Sequence, residues 1–346
     1  MGISGLVMAV VVVSVLLGEG LTPRPEVPLS LTAASSSHHR FLSLFSVVRF
    51  KNQPCTGEGG AAGVCYTAQA CLAGGGRAAG ECADGFGVCC VTRLSCGAST
   101  SNNCSILQSP GYPATFNYPT TCTHTVTFPS NVCQIRLDVV TVDLAPPTSQ
   151  GTCYDDSLTF SQDTKWGRVC GTTTDSHFYL DVDSSASTSL TLTFTTGQRE
   201  YDRRWQVKAT QITCDQLSMA PTGCGQYFTS PSGVIKGWNH DGIYLSGQNY
   251  AICVRKEVDM CSTTYQDSRS VLFRPICGDT LEWPFPVIGA PTTTVSCVTA
   301  AAFIASTPLT VPLQGPNYLY LVTTTDTTND HSDATNVFYT YTQNPC

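Results

Sequence analysis

Charge is scarce in this chain. Lys, Arg, Asp and Glu make up 12% of its 346 residues, against the quarter usual in globular proteins, and the balance is −7. Without a basic excess there is no electrostatic footprint for a phosphate backbone, so nucleic-acid partners are excluded. Long apolar runs are scarce too. One run, Leu6 to Leu17, stands out, and it falls short of the roughly 20 residues that a bilayer core demands. Small residues follow it, Gly18 and Gly20 among them. Residues 1–20 therefore read as a signal peptide cut near Gly20 rather than a short anchor, and no membrane insertion is expected. The polar tail TQNPC carries no lipid-anchor signal.

Reaction centres are missing as well. Acyl transfer needs a nucleophile, a base within hydrogen-bond reach and oxyanion donors. The histidines are His38, His39, His124, His177, His240 and His331, and none sits in an Ala-Ala-His-Cys setting. Gly-Asp-Ser-Gly-Gly, a Gly-x-Ser-x-Gly elbow after a buried strand and His-Glu-x-x-His are all absent. His38 and His39 lie in a stretch with no period and read as solvated. His124 falls on the inward face of a strand and reads as a core histidine, while His177 reads as solvated. The expectation is a protein that is not an enzyme and has no cofactor.

What is abundant is cysteine: 19 residues, all after Phe50. An exported chain uses so many as cross-links, whereas a cytosolic one has little reason to keep them. The chain should therefore be secreted and extracellular. The number is odd, so at least one cysteine stays unpaired within a single chain. Residues 21–50 are Pro-, Ser- and Ala-rich and read as a flexible linker or pro-segment.

Residues 51–93 hold six cysteines, Cys55, Cys65, Cys71, Cys82, Cys89 and Cys90, threaded through Gly-rich turns. So short a block cannot offset its chain entropy by burial alone, and three bridges at about 2–4 kcal/mol each supply the deficit. Zinc is the rival use of such cysteines; the compartment and the absence of histidine in the block argue against it. The spacing, with its closing adjacent pair, resembles the clip domain of arthropod extracellular proteins. That resemblance implies Cys55–Cys89, Cys65–Cys82 and Cys71–Cys90.

Beyond Leu94 the sequence alternates with period two. Cys122, His124, Val126 and Phe128 share one face of CTHTVTF; Leu190, Leu192 and Phe194 share one face of LTLTF; Phe178, Leu180 and Val182 share one face of HFYLDVD. Such alternation marks strands with one buried face, and the turn signals SPGYP, APPTSQG and TTGQ separate them. The combination predicts an all-β, antiparallel β-sandwich.

Several motifs then follow in order. Cys96-Gly97 comes first, then SPGYP, Cys122, the strand QIRLDVV, Cys153-Tyr154-Asp155-Asp156, Cys170-Gly171 and RRWQVKATQ with Trp205. Residues 94–213 thereby resemble a CUB domain, a jelly-roll sandwich with two bridges, which implies Cys96–Cys122 and Cys153–Cys170. Cys104 and Cys133 are extra to that pattern and are expected to bridge each other. Many CUB domains also hold a calcium ion on three acidic side chains. Here the mapped positions carry Asp156, Ala145 (with Asp143 two residues earlier) and Gly197. A regrouping of Asp155, Asp156 and Asp202 reads as a solvated acidic loop, and Asp279 stands alone farther on. No metal site is expected.

The chain also repeats itself. Cys104-Ser-Ile-Leu-Gln-Ser-Pro matches Cys224-Gly-Gln-Tyr-Phe-Thr-Ser-Pro, and KATQITC ending at Cys214 matches YTYTQNPC ending at Cys346. Residues 214–346 therefore read as a second, divergent CUB-like domain. Setting Cys214 and Cys224 against Cys96 and Cys104 gives Cys214–Cys253, Cys224–Cys261 and Cys277–Cys297. Cys346 is then spare and open to a disulfide-linked dimer; a Cys214–Cys346 bridge is the alternative. Asn103-Cys104-Ser105 is a glycosylation sequon. The densest charged and aromatic loop, QREYDRR, offers Arg199, Tyr201, Asp202, Arg203 and Arg204 as partner-binding residues. The expected partner is an extracellular protein or glycan, in innate defence, development or matrix assembly. A non-catalytic cofactor of a clip-protease cascade, or a structural matrix component, is the alternative.

Overall fold

In the computed structural model of the chain, residues 9–11, 46–48, 53–162, 165–267, 280–282, 294–295, 309–312, 317–322 and 337–346 are described. Most of residues 1–50, where a signal peptide and a linker are expected, lies outside them; of that stretch, β1 (Ala9–Val11) and β2 (Ser46–Val48) are described and pair antiparallel. His38, His39, Asp279, His331 and the expected Cys277–Cys297 bridge also lie outside. Two compact units divide the chain, Met1–Val91 and Thr92–Cys346.

Residues 53–91 of the first unit hold a four-stranded sheet in the order β3-β4-β6-β5, built from β3 (Pro54–Thr56), β4 (Ala62–Tyr66), β5 (Arg77–Cys82) and β6 (Gly87–Val91). Besides a 3-10 turn at Glu58–Gly60, one α-helix is described, α1 (Ala68–Ala73), capped by the Thr67 hydroxyl, which accepts from the Ala70 amide. The bridges are Cys55–Cys89, Cys65–Cys82 and Cys71–Cys90. The largely buried core is small and dominated by sulfur and small residues: Val64, Cys65, Cys71, Ala79, Cys89, Cys90 and Val91. Cross-links do here what area cannot.

The second unit holds two sandwiches. The first is made from β7 (Arg93–Leu94), β8 (Ser99–Thr100), β9 (Cys104–Gln108), β10 (Thr120–Thr127), β11 (Val132–Asp143), β12 (Ser157–Phe160), β13 (Thr172–Asp181), β14 (Ser189–Thr196) and β15 (Arg204–Thr213). They form sheets ordered β12-β14-β10-β8 and β13-β11-β15-β9-β7. Along β10 and β14 the alternation is strict: Cys122, His124, Val126, Leu190, Leu192 and Phe194 are buried, and the intervening threonines face out. Phe194 stacks flat on Trp205 across the sandwich, ring centroids 4.1 Å apart.

The second sandwich has sheets ordered β16-β18-β23-β20-β21 and β17-β24-β19-β22. Its strands are β16 (Cys224–Phe228), β17 (Ser232–Lys236), β18 (Asn249–Val254), β19 (Met260–Asp267), β20 (Thr280–Glu282), β21 (Thr294–Val295), β22 (Leu309–Pro312), β23 (Asn317–Val322) and β24 (Phe338–Pro345).

The cysteine register differs from the sequence expectation. Cys133 bonds Cys214, not Cys104. β15 lies between β9 and β11, so Cys104 and Cys133 sit two strand spacings apart, roughly 10 Å, beyond the ~7 Å that a bridge tolerates. Antiparallel β11 and β15 instead set Val132 opposite Thr213, which brings Cys133 beside Cys214. Cys214 thus closes the first sandwich and does not open the second. Cys224 bonds Cys253 on the neighbouring strand β18, replacing the expected Cys214–Cys253 and Cys224–Cys261. Cys261 bonds Cys346, because β19 and β24 pair as β11 and β15 do. Cys346 is therefore not spare; the free cysteine among the described residues is Cys104, which is buried. Cys96–Cys122 and Cys153–Cys170 complete the set.

One cluster of buried side chains runs through both sandwiches. At its junction Trp166, fully buried, leans on Tyr250 (centroids 4.3 Å) and meets Phe178 edge-on, while Phe178 stacks on Trp238 at 3.8 Å. The fit leaves no room at Gly225, where a Cβ would fall 2.6 Å from the Trp166 ring. Gln226 closes the seam, donating to the carbonyls of His177 and Lys236 and to the Ser176 hydroxyl. His177 is consequently not solvated. Its ring faces the second sandwich, Nε2 donating to the Tyr227 carbonyl at 2.8 Å.

Candidate functional site

The loops joining β11 to β12 and β14 to β15, with the segment before β10, meet at one end of the first sandwich. Their centre is a fully buried ion pair between Asp156 and Arg203. The inward face of β15 runs Trp205, Val207, Ala209, and its extension backward by two residues puts Arg203 inside as well. Arg203 also bridges Phe116 through paired backbone hydrogen bonds of 2.8 and 3.0 Å.

The pair is bidentate. Arg203 Nε donates to Asp156 Oδ2 at 2.7 Å, and Nη2 to Oδ1 at 3.0 Å. The guanidinium also donates to the carbonyls of Gly197 (3.3 Å), Arg199 (2.8 Å) and Tyr201 (3.0 Å). Asp156 accepts further from the amides of Ala145 (2.7 Å) and Gly197 (2.9 Å). Gly197 is needed for this approach, since a Cβ there would meet the Asp155 carbonyl oxygen at 2.7 Å. Nearby, the Tyr201 hydroxyl donates to Asp143 Oδ1 at 2.8 Å. Burial, then that carboxylate, raises the Tyr201 pKa above its ordinary value.

A calcium ion does not fit this arrangement. Each Asp156 oxygen already accepts two hydrogen bonds, and the mapped positions Ala145 and Gly197 offer amides in place of carboxylates. Asp143 is engaged by Tyr201 and Thr172. A second grouping, Cys96, Cys122 and His124, has metal-like spacing, but its two sulfurs are bonded to each other. His124 accepts from Trp205 Nε1 at 3.3 Å, and burial pushes its pKa down to about 4.

Of the sequence-expected binding residues, Arg199, Asp202 and Arg204 are exposed and Tyr201 is half-buried; Arg203 is wholly internal and offers nothing to a partner. Two exposed aromatics join them that the loop motif did not include. Tyr154, 80% exposed, precedes Asp155, and Tyr118, 50% exposed, packs on Phe116 and accepts through its carbonyl from Thr196. Asn103 is half-buried at the start of β9, its carbonyl accepting from Gln211, and Ser105 of the sequon is buried against Thr100.

The CUB domain family model matches residues 96–208, and the animal CUB domain model matches residues 221–333. No curated protein matches the chain. Among solved structures, the chain is similar to the CUB1-EGF-CUB2 domains of rat MASP-1, at 13% identity over 72% of this chain and 99% of that one, with a TM-score of 0.27. It is similar to the same domains of human MASP-1/3, at 14% identity over 70% of this chain and all of that one, TM-score 0.27. It is similar to the full extracellular region of zebrafish Gpr126/Adgrg6, at 9% identity over 71% of this chain and 36% of that one, TM-score 0.30.

Proposed function

Because the chain carries two CUB domains in tandem, we propose that it is a non-catalytic, secreted binding protein whose first CUB domain engages an extracellular protein through its loop end. CUB domains are commonly extracellular protein-binding modules. The disulfides support an oxidising compartment, and no helix among the described residues is long and apolar enough to cross a membrane. The carrying observation is Tyr154, a largely exposed aromatic on loops fixed by a buried ion pair. A rigid anchor loses little entropy on binding, and Tyr and Arg are enriched among the residues that dominate interfaces. Arg199, Glu200, Asp202 and Arg204 are exposed on the segment leading from β14 into β15, and their mixed charge fits a protein surface of both signs rather than a polyanion.

The first unit supports a narrower role. Its bridges join the first and fifth, second and fourth, and third and sixth cysteines, the pairing of a clip-like module. That favours, as a second reading, a non-enzymatic cofactor of a clip-protease cascade. The test is capture from extracellular fluid by the immobilised full chain, compared with Tyr154→Ala and Arg199→Ala. Retention should fall about 30-fold for Tyr154→Ala, the equivalent of ~2 kcal/mol, with unchanged melting. Equal retention by all three chains would remove the loop end as the binding site, and retention on polysaccharide instead would replace a protein partner by a glycan.

A further inference from the structure

The feature of the loop end that partner binding does not use is the wholly internal cation. Five oxygens converge on the Arg203 guanidinium: both carboxylate oxygens of Asp156 and the carbonyls of Gly197, Arg199 and Tyr201. All five are hard oxygen donors, one pair of them anionic. That is the donor set that a calcium-type cation selects, except that such an ion takes six to eight oxygens and makes no use of amide donors. Three carbonyls from alternate loop residues, 197, 199 and 201, turn inward onto this one positive charge.

We propose that Arg203 is the resident cation of this loop end, an oxygen cage filled permanently by the chain's own side chain, and that its removal uncovers a divalent-cation site. The guanidinium spreads its charge over donors in a planar fork, so it serves the carboxylate in two places and the carbonyls at its periphery. An ion leaves when chelated, whereas a side chain anchored in the backbone just before β15 does not. The loops therefore hold their shape at any ambient calcium level. Both partners are out of solvent, so ionic strength screens the pair little. What holds the loops is independent of what they bind.

The experiment is thermal melting of the full chain in chelator and in millimolar calcium, for the wild type, Arg203→Ala and Arg203→Lys. The wild-type melting temperature should be the same in both. Arg203→Ala leaves Asp156 buried without its counter-charge and should melt on the order of 10 °C lower in chelator. Calcium, but not sodium at equal ionic strength, should restore part of the loss, and terbium should bind with luminescence sensitised by the neighbouring Tyr201. Arg203→Lys keeps a charge with fewer donors; it should melt between the other two and ignore calcium. If Arg203→Ala is not secreted folded, adding calcium to the medium should rescue its yield. A wild type stabilised by several degrees in calcium, an Arg203→Ala chain that folds and ignores calcium, or an unfolded one that calcium does not rescue would each overturn the proposal.

Discussion

Replacing Trp166 by Ala should uncouple the two CUB domains. The side chain is fully buried and belongs to the loop between β12 and β13 of the first domain, yet it is gripped by Tyr250 and Trp238 of the second as well as by Phe178 of its own. Removing a buried Trp side chain costs about 3–5 kcal/mol. Each of the three ring contacts contributes up to ~1.5 kcal/mol beyond area, but they share one ring and cannot be added to that figure. A loss near 4 kcal/mol in a unit of this size lowers the melting temperature by about 10 °C. Scanning calorimetry should show a single transition for the wild-type tandem and two for Trp166→Ala, because the shared core couples the domains only while it is filled. Trp166→Phe is the sharper control. It keeps a ring against Tyr250 and deletes an indole N–H that finds no partner among the described residues, so its loss should be less than half as large. Two wild-type transitions, or an Ala variant melting where the wild type does, would refute a common core.

Acid should destabilise the tandem in a defined window. Burial, aided at His177 by neighbouring Arg136, pushes the pKa values of His124 and His177 from 6.5 down to about 4. The unfolded chain then takes up protons below pH 6.5 that the fold refuses until about pH 4. Stability is complete above that window and falls through it, by about 3 kcal/mol for each ring at its acid end. Denaturant melts across pH 7 to 4 should show the slope. His177→Gln, which keeps a donor for the Tyr227 carbonyl, should flatten part of it; an unchanged slope would point to other groups. The spare thiol should be silent: burial raises the Cys104 pKa and keeps the thiolate scarce. A thiol reagent should reach it only after unfolding, and non-reducing electrophoresis should give a monomer, since Cys346 is bonded to Cys261. A covalent dimer would contradict that pairing.

The period-two runs carried the sandwiches plainly, since in β10 and β14 each apolar side chain faces inward and each intervening Thr outward. Cysteine phase was harder. Setting Cys96 against Cys214 puts the repeat one cysteine out of step. In the fold Cys96 corresponds to Cys224, Cys133 to Cys261 and Cys214 to Cys346, while the place of Cys104 opposite Thr210 is taken by Ser232 opposite Thr342. The match of KATQITC with YTYTQNPC already demanded that phase. Arg203 hid among like charges, although it lies two residues before the inward-facing Trp205. Tyr154 stood in view beside Asp155 and Asp156, but exposure is a property of the loop's path rather than of residue type. The junction around Trp166 was illegible, because local alternation carries no record of which partner covers a strand's outer face.

That junction changes what may be cut apart. β13 ends one sheet of the first domain, and the side chains of Gln226 and Asn239 occupy polar groups along it. A fragment trimmed to the family boundary near residue 208 would lay bare the outer edge of β13 beside Trp166 and Phe178, the combination that invites edge-to-edge association. It would also sever Cys133 from Cys214. Aggregation of such a fragment would report the exposed seam, not the character of the domain.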